Sequence, residues 1–464
     1  MAEKLTPGQI AYCAGDIRYL PALRLKQLQE IAGGDPRAKA MELEQALLPT
    51  VAKMVLNGLP VDEDAWRQYR GEQATKYGEA QNMLRQHFGD INYNSHAQAL
   101  KAFQSMGAPI TDTKKETITI LAESADVEVR DARIVEVESL RAQGKFTSEE
   151  ADKETEKARR EFTIGEMAKA FLTLRGSSKR LSMYSPEWWA ANVFEGKVHA
   201  RFWQMGTETG RLSSSDPNLQ NQANDARFIY KAPPGYVYVS SDYSQIEVRL
   251  MAAWANDPAL LAVLESGDVH ANVAAQVFQI AVESVQPRQR KLAKAMVFCL
   301  LYGGGYNALY RYARMSGSHI TIEEAKALVT RFFRTFQGLA ARKNWAQTVA
   351  ANNRAFTITM PHGLQRVLVD KSMAATIILN TTIQGAAASG MKYAMLYCGE
   401  RGLEDYIGAT VHDELVACVP EKMAKVFAKE LELCMIDGMA RVTDTPVKVE
   451  TKISKSWGGI PWAD

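Results

Sequence analysis

Cysteine is scarce in this chain and never paired in motif spacing. The 464 residues hold five, Cys13, Cys299, Cys398, Cys418 and Cys434, with no CxxC among them. That excludes a disulfide framework or a zinc knuckle as the organising device and fits a reducing compartment. Long apolar runs are missing too. No stretch approaches the roughly 20 apolar residues of a membrane span, and the N-terminus lacks the basic-then-apolar pattern of a secretion signal. The chain also lacks an excess of either charge: 55 Lys and Arg against 53 Asp and Glu leave a net +2. Bulk electrostatics therefore give no general attraction to a polyanion, and any nucleic-acid contact needs a local basic face. With 46% hydrophobic and 23% charged residues, the composition is that of a soluble globular protein with room for two or three packed regions.

The most informative stretch is Tyr236 to Asp257, YVYVSSDYSQIEVRLMAAWAND. It opens with the β-branched and aromatic residues of a strand, and Asp242 stands where that strand stops. Ile246, Leu250, Ala253 and Trp254 then recur at the spacing of one helix face. A lone Asp at such a turn ordinarily caps the helix. A second acid in matching context changes the balance. YIGATVHDELVACVP, from Tyr406 to Pro420, reads as two apolar strands with His412, Asp413 and Glu414 at the turn. Adjacent acids at a hairpin tip suit a bound cation. If the strands share a sheet, Asp242 and Asp413 meet and can hold two divalent ions for phosphoryl or nucleotidyl transfer.

After Pro287 a helix places Arg290, Lys294, Phe298 and Tyr302 at steps of four along one face. Two cations so placed repel by a few tenths of a kcal/mol, and an anionic ligand beside them, such as a triphosphate, reverses the sign.

DYSQIEVR (242–249), RQRKLAKAMVFCLLYGGG (288–305) and VHDELV (411–416) resemble, in order, the three polymerase motifs of the DNA polymerase I family, family A. TGRLSSSDPNLQN, from Thr209 to Asn221, is similar to that family's segment just upstream. The likeness runs from about Gly34 to the C-terminus, strongest over 209–305 and 384–419 and weak over 108–165.

The resemblance implies an α+β, right-hand polymerase fold with an antiparallel-sheet palm, helical fingers and a helical thumb. It divides the chain into 1–33, a remnant of a 3′–5′ exonuclease domain; 34–180, thumb; 181–256, first part of the palm; 257–370, fingers; and 371–464, second part of the palm. It implies a DNA-directed DNA polymerase acting on primer-template DNA and dNTPs. Two Mg2+ ions, with Mn2+ as a substitute, would be held by Asp242, Tyr243, Asp413 and Glu414. Asp242, Asp413 and Lys294 are then catalytic. Arg290, Lys294, Phe298, Tyr302, His270, Glu247 and Gln245 would bind the nucleotide, Glu247 barring a ribose 2′-hydroxyl and pairing with Tyr302. Arg211, Asn380 and Gln384 would touch the minor groove of the DNA, and His412 would lie by the primer terminus.

Three positions depart from the family pattern: Val297, Cys299 and Thr376 stand where Asn, Gly and Arg are usual. YCAGD, with Tyr12 and Asp16 in a helix over Ala11–Ile31, is similar to the last exonuclease motif. Asp16 alone cannot build a two-metal site, so no proofreading is expected. Helices are expected over Ala38–Asn57 and Glu63–Phe88, and another over Phe162–Tyr184 carries Arg175, Lys179 and Arg180, of which Lys179 and Arg180 are assigned to duplex phosphates. Glu123 to Glu161 reads as a solvated helical hairpin turning near Gly144, with a processivity partner as the alternative. Helical patterns over Thr321–Asn352 and Thr376–Leu396 flank a turn between short strands at PHGLQR.

A single-subunit RNA polymerase shares such a palm, and Glu247 argues against it. A non-catalytic DNA-binding relative would have lost an acid, and both are present. The expected setting is a monomer in the cytoplasm, the host's if phage-encoded, in phage or mobile-element replication.

Overall fold

The computed structural model describes residues 6–315, 317–318, 320–459 and 462. Two helices lead, α1 (Pro7–Arg18) and α2 (Leu20–Glu30), and neither buries a residue. They replace the single helix expected over Ala11–Ile31. Pro21, in the first turn of α2, has no N–H to continue the ladder, and the chain breaks at Tyr19. α3 (Pro36–Asn57), capped by Asp35, ends at Gly58, whose φ of +59° and closeness to the Val198 carbonyl, 2.7 Å from a built Cβ, admit no side chain. β1 (Leu59–Pro60) leads into α4 (Glu63–Phe88), capped by Asp62.

α5 (His96–Ser105), α6 (Lys115–Ala122), α7 (Val127–Ala142) and α8 (Ser148–Met183) follow. The second half of α4 with α5, α6 and α8 encloses a separate core around Leu84, Phe103, Ile118, Phe171 and Leu174. α7 and the start of α8 form the solvated hairpin, with Gly144 at its turn in the left-handed region. α8 then runs unbroken for 36 residues, where the sequence reading starts a separate helix at Phe162.

α9 (Pro186–Asn192), β2 (Val193–Phe194) and β3 (Lys197–Val198) come next, and β3 lies between β1 and β2. β4 (Arg201–Trp203) pairs with β5 (Ser213–Ser215). β6 (Tyr236–Tyr243) passes into α10 (Ile246–Ala255), α11 (Pro258–Glu265), α12 (Val269–Phe278), α13 (Pro287–Leu300), α14 (Tyr306–Met315), α15 (Ile322–Thr335) and α16 (Gln337–Asn352). The hairpin β7 (Ala355–Thr359) and β8 (Gln365–Val369), α17 (Ala375–Glu400), β9 (Ile407–Val411), β10 (Glu414–Pro420), α18 (Ala424–Ala440) and β11 (Val449–Ser454) complete the chain.

The central sheet has the order β11–β6–β10–β9, every neighbour antiparallel. Side chains alternate between its faces. Tyr243 donates its hydroxyl to Met435 O on α18, and Tyr238, on the opposite face, donates to Pro60 O. Val237, Val239, Leu415 and Val416 are fully buried, each contributing about 1.5–3 kcal/mol. By the same alternation Ser240 and Asp242 share the face of Tyr238, and there the burial stops. The chain is thus α+β, with small antiparallel sheets set among helices.

Candidate active site

At the end of the central sheet Asp242 has Glu450 of β11 as register partner on one side and Glu414 of β10 on the other. Asp413 follows in the β9–β10 turn, its carbonyl accepting from Tyr243 N–H at 3.1 Å. His412 completes that turn in the left-handed region, φ 56°, a conformation costing a non-glycine residue about 1–2 kcal/mol. Asp242 and Asp413 thus come together at one end of a shared sheet, as the sequence reading expects. Together with Glu414, Glu450, Lys452, Arg227 and Asn224 they line a cleft of about 320 Å³.

Partial desolvation, then the carboxylates of Glu414, Asp413 and Glu450, raise Asp242 from 3.8 to about 7. Asp413 is also raised, by burial, against the opposing charge of Arg211. Crowded acids of this kind fit a cation. Among the described residues no group of three or more His, Cys, Asp or Glu is arranged to hold a metal by itself. Mg2+ takes one or two carboxylates from a protein and the rest from water and substrate phosphates, so this donor set suits it.

For the other two expected ligands the structure shows what their side chains touch. The Tyr243 side chain lies in the core with its hydroxyl on Met435, so only its main chain is left for the cleft. Glu414 lines the cleft, but its oxygens accept from Arg227 Nη1 at 3.1 Å and Trp457 Nε1 at 2.9 Å. Glu450 and Lys452 are cleft residues that sequence reasoning missed. Their alternation in VETKIS puts both on one strand face, yet nothing local says which strand they join.

On α13, Arg290, Lys294 and Phe298 are exposed as the step of four predicts. Arg290 Nε lies 2.7 Å from Asp268 Oδ2, and Lys294 Nζ stands 5.9 Å from the Phe298 ring centre. His270, buried 6.3 Å from that ring, has its pKa lowered by burial and then by Arg290 and Lys294, and its Nδ1 finds no partner among the described residues. Its Nε2 faces Gln245 Nε2 at 3.5 Å.

Tyr302 falls beyond the end of α13 at Leu300, so the helical face does not extend to it. Nor does it pair with Glu247: its hydroxyl has no partner among the described residues, and Glu247 accepts from Arg211 Nη2 at 2.6 Å. The guanidinium outcompetes a phenol for a carboxylate because the bond is charge-assisted.

Arg211, Tyr302, Asn380, Gln384 and His412 line a second cleft of about 920 Å³, in which the departures Cys299 and Thr376 also sit, while Val297 is buried. Lys179 and Arg180 lie outside it. Lys179 is exposed, whereas Arg180 is tied to Asp225 at 2.8 Å and Arg175 to Thr113 O at 2.9 Å. A separate cavity of about 540 Å³ beside Leu250, Trp254 and Ile383 contains none of the candidate residues.

Residues 136–459 match the family model described as DNA polymerase family A. DNA polymerase I of Pseudomonas aeruginosa is 30% identical over 98% of this chain and 49% of the relative. The thermostable DNA polymerase I of Thermus aquaticus is 34% identical over 56% of this chain and 32% of the relative. The POL domain of Pol1 from M. smegmatis, solved in complex with DNA primer-template and dNTP, superposes with a TM-score of 0.70 at 24% identity, covering 89% of this chain and 70% of that one. This chain spans about half the length of the Pseudomonas relative.

Proposed function

The chain belongs to DNA polymerase family A, and on that premise we propose that it adds deoxynucleotides to a primer 3′-hydroxyl under the direction of a template strand. The observation that carries this reading is the convergence of Asp242, at the end of β6, and Asp413, in the β9–β10 turn, in one carboxylate cleft.

In this reading Asp242 and Asp413 would hold two Mg2+ ions, or Mn2+ in their place, which would supply a lowered pKa for the 3′-hydroxyl and positive charge against the phosphates. Arg290 grips the outer phosphates. Lys294, one turn nearer the reacting phosphate, offsets the charge that develops in the transition state and protonates the pyrophosphate. His270, neutral because it is buried among cations, assists as a hydrogen-bonding group. Phe298 packs on the sugar, and Glu247, on the first turn of α10, takes the space of a 2′-hydroxyl. Arg211, Asn380 and Gln384 donate to minor-groove acceptors, which stand in equivalent places in every base pair and so report pair shape without sequence.

Residues 34–180 serve as thumb, the part from Ala80 to Leu174 holding a core of its own; 181–256 and 371–464 serve as palm, and 257–370 as fingers. Among the described residues Asp16, exposed on α1, belongs to no group of acids that could hold a metal, and on this reading a mismatched primer end incubated with this chain should stay intact without dNTPs. Asp242→Asn or Asp413→Asn should abolish primer extension while leaving primer-template affinity within a few-fold, since duplex affinity comes largely from phosphate contacts elsewhere. Normal extension by either variant would refute the assignment.

A further inference from the structure

Arg211 joins two acids that lie 36 and 202 residues away in the chain. Its Nη2 donates to Glu247 Oε1 at 2.6 Å and reaches Asp413 Oδ1 at 3.3 Å. The three side chains come from the loop before β5, the first turn of α10 and the β9–β10 turn. Burial raises the pKa of both acids, and the guanidinium works against that rise in each. A guanidinium has donors only, so an Asp413 oxygen facing Arg211 meets a competing cation if it is also to ligate a metal.

The two contacts are unequal. At 3.3 Å the Asp413 contact lies beyond the usual range and is the weaker, so Arg211 can leave it while keeping Glu247. Its Nε is shielded from solvent and has no partner among the described residues, an unfilled donor whose burial costs free energy until an acceptor arrives. The same side chain lines the 920 Å³ cleft with Asn380 and Gln384, where base-edge acceptors would supply one.

Building on the polymerase reading, we propose that Arg211 is a resident counter-ion of Asp413 that competes with the divalent metal until primer-template draws it away, so that metal binding is coupled to DNA binding. In the DNA-free protein Arg211 shields Asp413, and a metal ion entering the cleft meets a competing cation. When the duplex fills the larger cleft, Arg211 turns to the minor groove and Asp413 opens to the metal. By linkage, the metal must strengthen primer-template binding by the same factor.

Mn2+ serves as the probe, with the free ion followed by electron paramagnetic resonance, with and without a primer-template blocked by a 3′-dideoxy end. Without DNA, Arg211→Gln should bind Mn2+ at least about five-fold more tightly than the unaltered chain, a modest coupling by the standards of linked sites. DNA should tighten Mn2+ binding to the unaltered chain by at least about five-fold more than it does for Arg211→Gln, whose Asp413 is already open. Lys452→Gln removes a charge from the same carboxylate cleft and should leave the DNA effect unchanged. Arg211→Lys keeps the charge without the fork and should fall between, which guards against a misfolded glutamine variant. Equal DNA effects in the unaltered chain and Arg211→Gln, or a Lys452→Gln change matching that of Arg211→Gln, would overturn the proposal. Because Mn2+ binding is read without incorporation, failure to extend primers would count against the polymerase reading alone.

Discussion

Asp242 illustrates how one side chain's surroundings become measurable. Its carboxyl is raised from 3.8 to about 7, so the folded protein keeps a proton that the unfolded chain releases near pH 4. Unfolding therefore releases a proton across that window, and without metal the stability contribution of this group falls as pH rises from about 4 to 7. Asp242→Asn removes the penalty. Because the side chain reaches solvent, only part of the roughly 1.4 kcal/mol per pKa unit is expected, about 1 kcal/mol in all at pH 8. Urea unfolding in EDTA should show the Asn variant more stable at pH 8 and indistinguishable from the parent near pH 4. A parent whose advantage grows with pH would contradict the crowding argument.

Lys294 and Arg290 separate in the same way. Lys294→Ala should cut the rate of incorporation far more than it weakens DNA binding, and Arg290→Ala should chiefly raise the dNTP concentration needed. Rapid-quench single-turnover kinetics distinguish the two, and identical, purely affinity-type losses would contradict their separate roles.

At the residue scale the sequence was legible wherever a local signal existed. Asp242 at a strand end, the acids at a hairpin tip and the step of four on α13 each rest on a short window. The partners of Glu247 and Glu414 did not. Arg211 and Arg227 reach them across 36 and 187 residues, and no periodicity records which distant cation folds onto which acid.

Among the elements, α3 and α4 follow from spacing and caps and α13 and α17 from spacing, whereas two boundaries differ from the sequence reading. Pro21 splits the first helix, and the charged arm of α7–α8 hides the continuity of α8 because its outer turns bury little besides Ala151 and Ala158. Packing between elements is less visible still. α18 approaches α17 so closely at Gly438 that a Cβ there would stand 2.3 Å from Ala394 N, a backbone atom that cannot rotate away. Gly438→Val should cost at least about 2 kcal/mol, read as a lower urea midpoint at unchanged m. Gly71, in the middle of α4 with nothing within 4 Å of its built Cβ, predicts the opposite sign. Gly71→Ala should stabilise by about 0.5–1 kcal/mol through helix propensity. Similar effects from both substitutions would mean that α17–α18 contact is not as close as described.

For the whole molecule, a net charge of +2 gives no hint of a nucleic-acid partner. What points to one is local: a carboxylate cleft at a sheet end, cations along α13, and a wider cleft holding Arg211, Asn380, Gln384 and His412. Both clefts are lined by the part of the chain that shares one core, running from the central sheet through α10–α18, while the second half of α4 with α5, α6 and α8 holds a second core whose residues line neither cleft. The most direct test of the account is the template dependence of a single addition. A primer-template with one defined base after the primer end, offered each dNTP alone with Mg2+, should gain only the complementary nucleotide, and changing that template base should change the nucleotide gained. Extension indifferent to the template base, or no extension by the folded chain with any of the four, would contradict it.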